Sequence, residues 1–407
     1  MKRILLVAVA LLAIAGTASF AGVLYQLPWA GAAAMTPTGA NSDGSVVVYS
    51  DDGSVKLWSR ATNTSAIIGA TTSYTPTGVV KQGSTVVVAG NSGGVAQRWD
   101  GTSAGVGTWS ALPTLGGTAW AASGNAIASN GTTVWIGGLT NTTTKGIAVY
   151  DSASNATAAV ALPSSPHAYV GNATINAIAS NGHIAGTGNV VAHPPLTGTK
   201  TGQNAAATLY GETGNTLSEL WSTIEPNERP TTRPNCISSD GKYAGGVLNG
   251  TYSVPVVWDL TSPQSDTNKA VFVPLPVYPG NLFLQNTGEI QCFSQDGTMA
   301  FGYSRSIGNE GGVTNSTRYG LVYDVAAGTS QDLTDYIKTT LGVDMAAAGW
   351  TNIISVIGVA ADGSVIGSGK IGASSLTRGF VVVVPEPGSI LALLTGCVGL
   401  VALRRRR

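Results

Sequence analysis

Asn235-Cys236-Ile237-Ser238-Ser239-Asp240-Gly241-Lys242-Tyr243-Ala244-Gly245-Gly246 and, a little further on, Val256-Val257-Trp258-Asp259 hold one full structural unit of this chain. An apolar strand runs into an Asp-Gly turn, a second strand of small and β-prone residues follows, and a third ends in an aromatic residue and an aspartate. Asp-Gly is a favoured pair for a two-residue hairpin, whose central positions both take positive φ, so the pattern predicts a tight antiparallel hairpin. Gly245 and Gly246 would let neighbouring backbones approach closely.

The unit recurs along the chain. Turn glycines stand at Gly44, Gly83, Gly131, Gly182, Gly241, Gly297 and Gly363, each preceded by Asp, Asn or Gln. They lie 39, 48, 51, 59, 56 and 66 residues apart, close to the roughly 40–50 residues of a four-stranded propeller blade, with insertions in the later units. Third strands end in Leu57-Trp58, Arg98-Trp99, Val149-Tyr150, Leu209-Tyr210, Val257-Trp258 and Val322-Tyr323, whereas the seventh, Gly379-Phe380-Val381-Val382, lacks the terminal aromatic. Several units close with a fourth strand ending in Leu-Pro: Leu112-Pro113, Leu162-Pro163 and Leu275-Pro276.

The last unit has no fourth strand of its own, yet Val23-Leu24-Tyr25-Gln26-Leu27-Pro28 carries the same Leu-Pro ending ahead of the first turn. Pairing that strand into the last unit would close a ring and remove an exposed sheet edge. The expected fold is therefore all-β, a seven-bladed β-propeller over residues 22–384 closed by the N-terminal strand. A β-helix or sandwich array would not need complementary ends.

Both chain ends read as addresses. Lys2 and Arg3 precede the apolar run Ile4–Ile14, and small residues lead to Ser19-Phe20-Ala21, so residues 1–21 read as a secretory signal peptide cleaved after Ala21. At the other end Val384-Pro385-Glu386-Pro387-Gly388-Ser389 opens an uncharged apolar segment, Ile390–Leu403, closed by Arg404, Arg405, Arg406 and Arg407. The prolines keep the backbone extended, and the arginines act as a cytoplasmic basic stop because crossing the membrane would be costly. A helix from Pro387 to Leu403 would be about 25 Å long, short against a hydrocarbon core of about 30 Å. A plain anchor is the alternative, but it gives no reason for the Pro-Glu-Pro entry.

Residues 385–407 resemble the PEP-CTERM sorting signal of Gram-negative surface proteins, with a Pro-Glu-Pro motif, a short hydrophobic helix and a basic terminus in order. The resemblance implies transient inner-membrane insertion as a transmembrane helix, recognition by an exosortase-type processing enzyme, and cleavage near the motif. Release or attachment at the cell surface or in the extracellular matrix follows, commonly in bacteria that make exopolysaccharide and biofilm. The repeats look like extracellular HAF-type units, most closely at Ala126–Gly131 and Asn235–Trp258. Their Trp-Asp endings are also similar to WD40 blades, although the Gly-His pair is missing. The sialidase Asp-box spacing is missing as well, which removes the easiest route to a glycosidase.

Composition narrows the chemistry. The chain holds 21 Lys+Arg and 21 Asp+Glu; without both address segments 15 and 20 remain, so the exported part carries about −5. That argues against a nucleic-acid partner, which would want a basic face, and none is expected. Cys236 and Cys292 each stand five residues before a turn glycine, where other units hold Gly39, Gly78, Ala126, Ala177 and Gly358. The position wants a small side chain, and a buried thiol is the expectation, with a disulfide between adjacent blades as the alternative.

No catalytic constellation stands out, and no metal site or cofactor is expected. His167, His183 and His193 lack metal-ligand spacing and read as solvated loop residues, Glu225 and Glu228 lie in a polar loop where Arg229 and Arg233 are expected to solvate or pair with them, and Asp51-Asp52-Gly53 reads as a turn rather than a calcium loop. Trp58, Trp99 and Trp258 recur in register and read as packing residues; Trp29, Trp109, Trp120, Trp221 and Trp350 fall outside that register and are the candidate sugar-stacking contacts. The favoured function is a non-enzymatic surface protein that presents a propeller to polysaccharide or another envelope protein. The alternative is a secreted carbohydrate-active enzyme with carboxylates converging on the central channel.

Overall fold

The computed structural model describes residues 22–384 except 32–33, 142–145, 163–172, 191–204, 213–217, 221–230, 250–252, 262–269, 277–286, 311–312 and 374–375. The expected signal peptide with Ala21, and the expected sorting segment from Pro385 to Arg407, lie outside the described residues. Among those described, no helix is long and apolar enough to cross a membrane.

The chain is an all-β propeller of antiparallel four-stranded sheets. It begins with β1 (Val23–Gln26). The first sheet is β2 (Thr36–Ala40), β3 (Val46–Asp51), β4 (Ser54–Ser59) and β5 (Thr64–Ala70); the second is β6 (Thr75–Gln82), β7 (Thr85–Ser92), β8 (Val95–Gly101) and β9 (Gly107–Ala111). The third is β10 (Trp120–Ser129), β11 (Val134–Thr140), β12 (Ile147–Asp151) and β13 (Ala156–Ala159); the fourth is β14 (Thr174–Ile178), β15 (His183–Val190), β16 (Ala205–Glu212) and β17 (Ser218–Leu220). The fifth is β18 (Thr231–Ile237), β19 (Tyr243–Asn249), β20 (Ser253–Asp259) and β21 (Ala270–Phe272); the sixth is β22 (Thr287–Phe293), β23 (Met299–Glu310), β24 (Val313–Asp324) and β25 (Thr329–Asp332). The last sheet is β26 (Trp350–Val359), β27 (Val365–Ile371) and β28 (Thr377–Val383), completed by β1 on the outer side of β28.

Val23 faces Val383 and Gln26 faces Phe380 in that pairing. Leu27 N then donates to Gly379 O at 3.0 Å, as Leu112 N does to Ala96 O in the second sheet. The N-terminal strand thus takes the place of a fourth strand. A hydrophobic cluster fills each seam between neighbouring sheets, and the seam from last to first holds Leu27, Val47, Trp58, Ile366 and Val381. Trp58, Trp99 and Trp258 are fully buried packing residues, as their register requires.

The turns differ from the two-residue hairpin expected. At Asp43-Gly44, Asn181-Gly182, Asp240-Gly241, Asp296-Gly297 and Asp362-Gly363 only the glycine has positive φ. Each of these glycines donates its N–H to the residue three before it, for example Gly241 N to Ser238 O at 2.9 Å. The residue before the glycine keeps ordinary φ because its side chain closes the turn: Asp43, Asp240, Asp296 and Asp362 Oδ1 accept the N–H of Ser45, Lys242, Thr298 and Ser364 at 2.8, 3.1, 3.1 and 2.9 Å. A loop with positive φ at both central residues occurs instead at Asp52 (46°) and Gly53 (73°), between β3 and β4.

Helix α1 (Leu333–Thr340) was not anticipated and accounts for much of the longest repeat spacing. Asp332 caps it by accepting from Thr334 N and Asp335 N, and its Leu333 and Ile337 are buried in the seam between the sixth and last sheets.

Candidate functional site

The first strands of all seven sheets line the axis, and each carries a register break. The breaks fall at Pro37/Gly39, Pro76/Gly78, Ala122/Ile127, Ile175/Ala177, Pro234/Cys236, Ile290/Cys292 and Val356/Gly358. Each lies at or next to the small-residue position read from the sequence. The reason is close approach: a Cβ on Gly39 would meet Gly78 Cα at 2.8 Å, and one on Gly78 would meet Ile127 Cγ2 at 2.5 Å. Cys236 and Cys292 fill the same position as free, buried thiols, so the disulfide alternative is set aside. Burial raises both thiol pKa values.

Side chains of the bulged residues reach the next sheet. Asn176 Nδ2 donates to Pro234 O at 2.7 Å, Asn235 Nδ2 to Ile290 O at 3.0 Å, and Gln291 Oε1 accepts Val356 N at 3.3 Å. Sequence reasoning missed this ladder. Its signal was the polar residue six before the turn glycine: Thr38, Thr77, Asn125, Asn176, Asn235 and Gln291.

The axial cavity of about 170 Å³ is lined by these small and apolar residues, with Asn41, Lys81, Gln291 and Gln295 among its polar groups, and its lining contains no Asp or Glu. The converging carboxylates of the enzyme alternative are therefore not found there among the described residues, and no group of three or more His, Cys, Asp or Glu placed to hold a metal ion occurs among them. His183, expected in a solvated loop, is half-buried on β15 against the neighbouring turn, with Nδ1 3.5 Å from Gly241 O. His167, His193, Glu225, Glu228 and Arg229 lie outside the described residues.

The candidate tryptophans separate into different environments. Trp120, 1% exposed, donates Nε1 to Pro113 O at 2.9 Å; Trp350, 5% exposed, packs edge-on against Phe380 at 5.2 Å. Both are seam residues at the start of a first strand, which corrects their assignment as exposed contacts. Trp109 is half-buried, stacked on Tyr74 at 4.5 Å with Nε1 donating to Ile68 O at 2.7 Å. Trp221 lies outside the described residues. Trp29 alone of the described four is well exposed, at 44%, and Arg378 lies 5.1 Å from its ring centroid.

The two ends of the ring differ. At one end sit the Asp-Gly turns, tied across seams by Arg60–Asp362 at 2.8 Å and Lys81–Asp43 at 3.0 Å. Val384, the last residue before the Pro-Glu-Pro motif, is at this end: its N–H donates to Ser364 Oγ at 3.3 Å. Trp29, beyond the far end of β1, and Arg378, near the start of β28, lie at the opposite end, as the β1–β28 register requires. Further polar groups gather on that side, where Glu289 accepts from Arg233 at 2.8 Å and Asn235 at 3.3 Å, so Arg233 pairs with Glu289 of the next sheet, a partner the sequence reading did not name.

No family model matches the sequence, and no curated protein matches it. Among solved structures the chain is similar to oligogalacturonate lyase from Vibrio parahaemolyticus, 11% identical, with a TM-score of 0.50 over 90% of this chain and 99% of that one. It also matches the tricorn protease, at 13% identity and a TM-score of 0.45 over 86% of this chain, and it spans 33% of that chain. TolB from Acinetobacter baumannii matches at 10% identity and a TM-score of 0.38, over 75% of this chain and 64% of that one. At these identities the likeness is one of fold, a β-propeller.

Proposed function

We propose that this protein is an exported, exosortase-sorted component of the cell surface or extracellular matrix, a seven-bladed propeller that binds polysaccharide or an envelope protein without turning it over. The observation that carries the reading is the opposition of the two ring ends. The chain leaves for its sorting motif at Val384, beside the turn of Gly363 and Ser364. The exposed Trp29 and its Arg378 neighbour lie at the other end. A protein held or delivered through its C-terminal segment then directs the aromatic end away from the attachment point. The exposed indole of Trp29 suits a sugar ring, whose C–H face stacks on an aromatic, while the buried Arg378 packs against the indole and holds it in place.

Retention of the purified protein on the exopolysaccharide of its host, in affinity electrophoresis, tests the binding. The wild type is expected to be retarded and Trp29→Ala to migrate more freely. A carbohydrate-active enzyme on the same scaffold would instead release new chain ends from that polymer.

A further inference from the structure

Next to Glu289 the sixth sheet assembles an unusual set of charges. Arg305 and Arg318 are register partners across β23 and β24, so two guanidinium groups leave the same face of the sheet opposite one another. Like charges placed this way cost stability unless nearby acidic, polar or aromatic groups offset the repulsion. Arg318 is exposed, and its Cζ stands 4.3 Å over the ring of Tyr303, itself the register partner of Glu289. A third guanidinium comes from the fifth sheet, where Arg233, with a side chain 50% exposed, holds Glu289 at 2.8 Å. Gln291 and Asn235 turn their amide groups to the same carboxylate, at 3.5 and 3.3 Å.

Among the described residues the cluster therefore has three guanidinium groups, one carboxylate and a half-buried aromatic ring, in an exported chain whose net charge is about −5. It lies on the ring end that carries Trp29, away from the Asp-Gly turns. We infer that Arg233, Arg318 and Tyr303 form an anion-reading subsite for a carboxylate-bearing polysaccharide. Guanidinium forks bind a uronate carboxylate in two-point fashion, and the Tyr303 ring with Arg318 supplies a face for the sugar. Glu289 holds Arg233 in place through one fork edge, and Asn235 and Gln291 fix Glu289 in turn. The titration of Tyr303 reflects the same proximity: burial raises its pKa, Glu289 raises it further, and Arg318 and Arg233 oppose them.

This inference rests on the polysaccharide-binding reading and specifies its ligand. Binding of the purified full-length protein to alginate, dextran sulfate and neutral dextran, with Arg318→Gln, Arg233→Gln and Trp29→Ala beside the wild type, separates the two. The subsite predicts that alginate binds, that binding weakens as salt rises, and that either arginine variant loses roughly tenfold in affinity while still folding. Equal binding of alginate and dextran, untouched by the arginine variants but weakened by Trp29→Ala, would overturn the subsite and leave the polysaccharide reading standing. Dextran sulfate bound far more tightly than alginate would replace the carboxylate with a sulfate ester and overturn the stated ligand. No binding of any of the three polymers, or of the host exopolysaccharide, would remove both.

Discussion

Asn176 Nδ2 donates to Pro234 O across the seam between the fourth and fifth sheets at 2.7 Å, while the same amide reaches Thr187 Oγ1 at 2.8 Å. One side chain thus satisfies the register break of its own strand and ties it to the next. Asn235 repeats the arrangement toward Ile290, and Gln291 inverts it by accepting from Val356. Inner strands that curve around an axis cannot pair edge to edge, so side chains at the bulges supply the missing polar partners.

Asn176→Ala should therefore lower the unfolding free energy by about 1–3 kcal/mol, because it removes two bonds and strands a carbonyl near the axis. Urea denaturation followed by tryptophan fluorescence reads this directly. A loss under about 0.3 kcal/mol would mean that the ladder contributes nothing.

Ring closure makes its own demand on Leu27, which is fully buried in the seam between the last and first sheets. Leu27→Ala is expected to cost about 2–5 kcal/mol. The exposed Val23, on β1 just before it, should tolerate alanine within about 0.5 kcal/mol. Equal effects at both positions would argue that β1 is not integral to the last sheet.

The axial position read as small should resist enlargement. Gly78→Ala places a methyl 2.5 Å from Ile127 Cγ2, and the strain is expected to cost about 1–3 kcal/mol. Iodoacetamide offers a second check on this position. Neither Cys236 nor Cys292 should be alkylated in the native protein, and both should be in denaturant without reductant; a disulfide would leave them unlabelled in either case.

Acid should loosen the turn end of the ring. Burial pushes the Asp43 carboxyl up, but hydrogen bonds from Ser45, Lys81 and Asn41 together outweigh it and lower its pKa to about 2. Asp240, Asp296 and Asp362 are held below their usual value in the same way by their turn and ion-pair partners. A carboxyl with a depressed folded pKa stabilises the fold above its unfolded value, about 4, and that stability is lost as pH falls through the folded value. The denaturation midpoint should hold steady above about pH 5 and fall between about pH 4 and 2. Asp43→Asn should reduce the size of that fall.

How much of this was legible in the sequence depends on whether a feature repeats. The β1 strand was recognisable because Leu27-Pro28 repeats the ending of Leu112-Pro113, and Trp58, Trp99 and Trp258 because they share a register. Trp120 and Trp350 were misread because the other five first strands open on Thr, which hid their packing role. The bulges leave only a faint trace, a polar residue ahead of a small one, since the feature is defined by the partner strand. Helix α1 was not anticipated, although Asp332 as cap and the spacing of Leu333 and Ile337 carry its signal, because it interrupts the repeat rather than belonging to it. The Arg305–Arg318 pairing required the β23–β24 register, because thirteen residues separate the two in sequence.

The central claim, export and sorting through the C-terminal segment, is tested most directly by the mass of the mature protein in envelope and culture-medium fractions of its host. The account predicts a chain that starts after Ala21 and ends near Pro385 to Pro387, without Arg404 to Arg407. An intact Arg407 in the membrane fraction would contradict it, leaving a membrane-anchored propeller in place of a sorted surface protein.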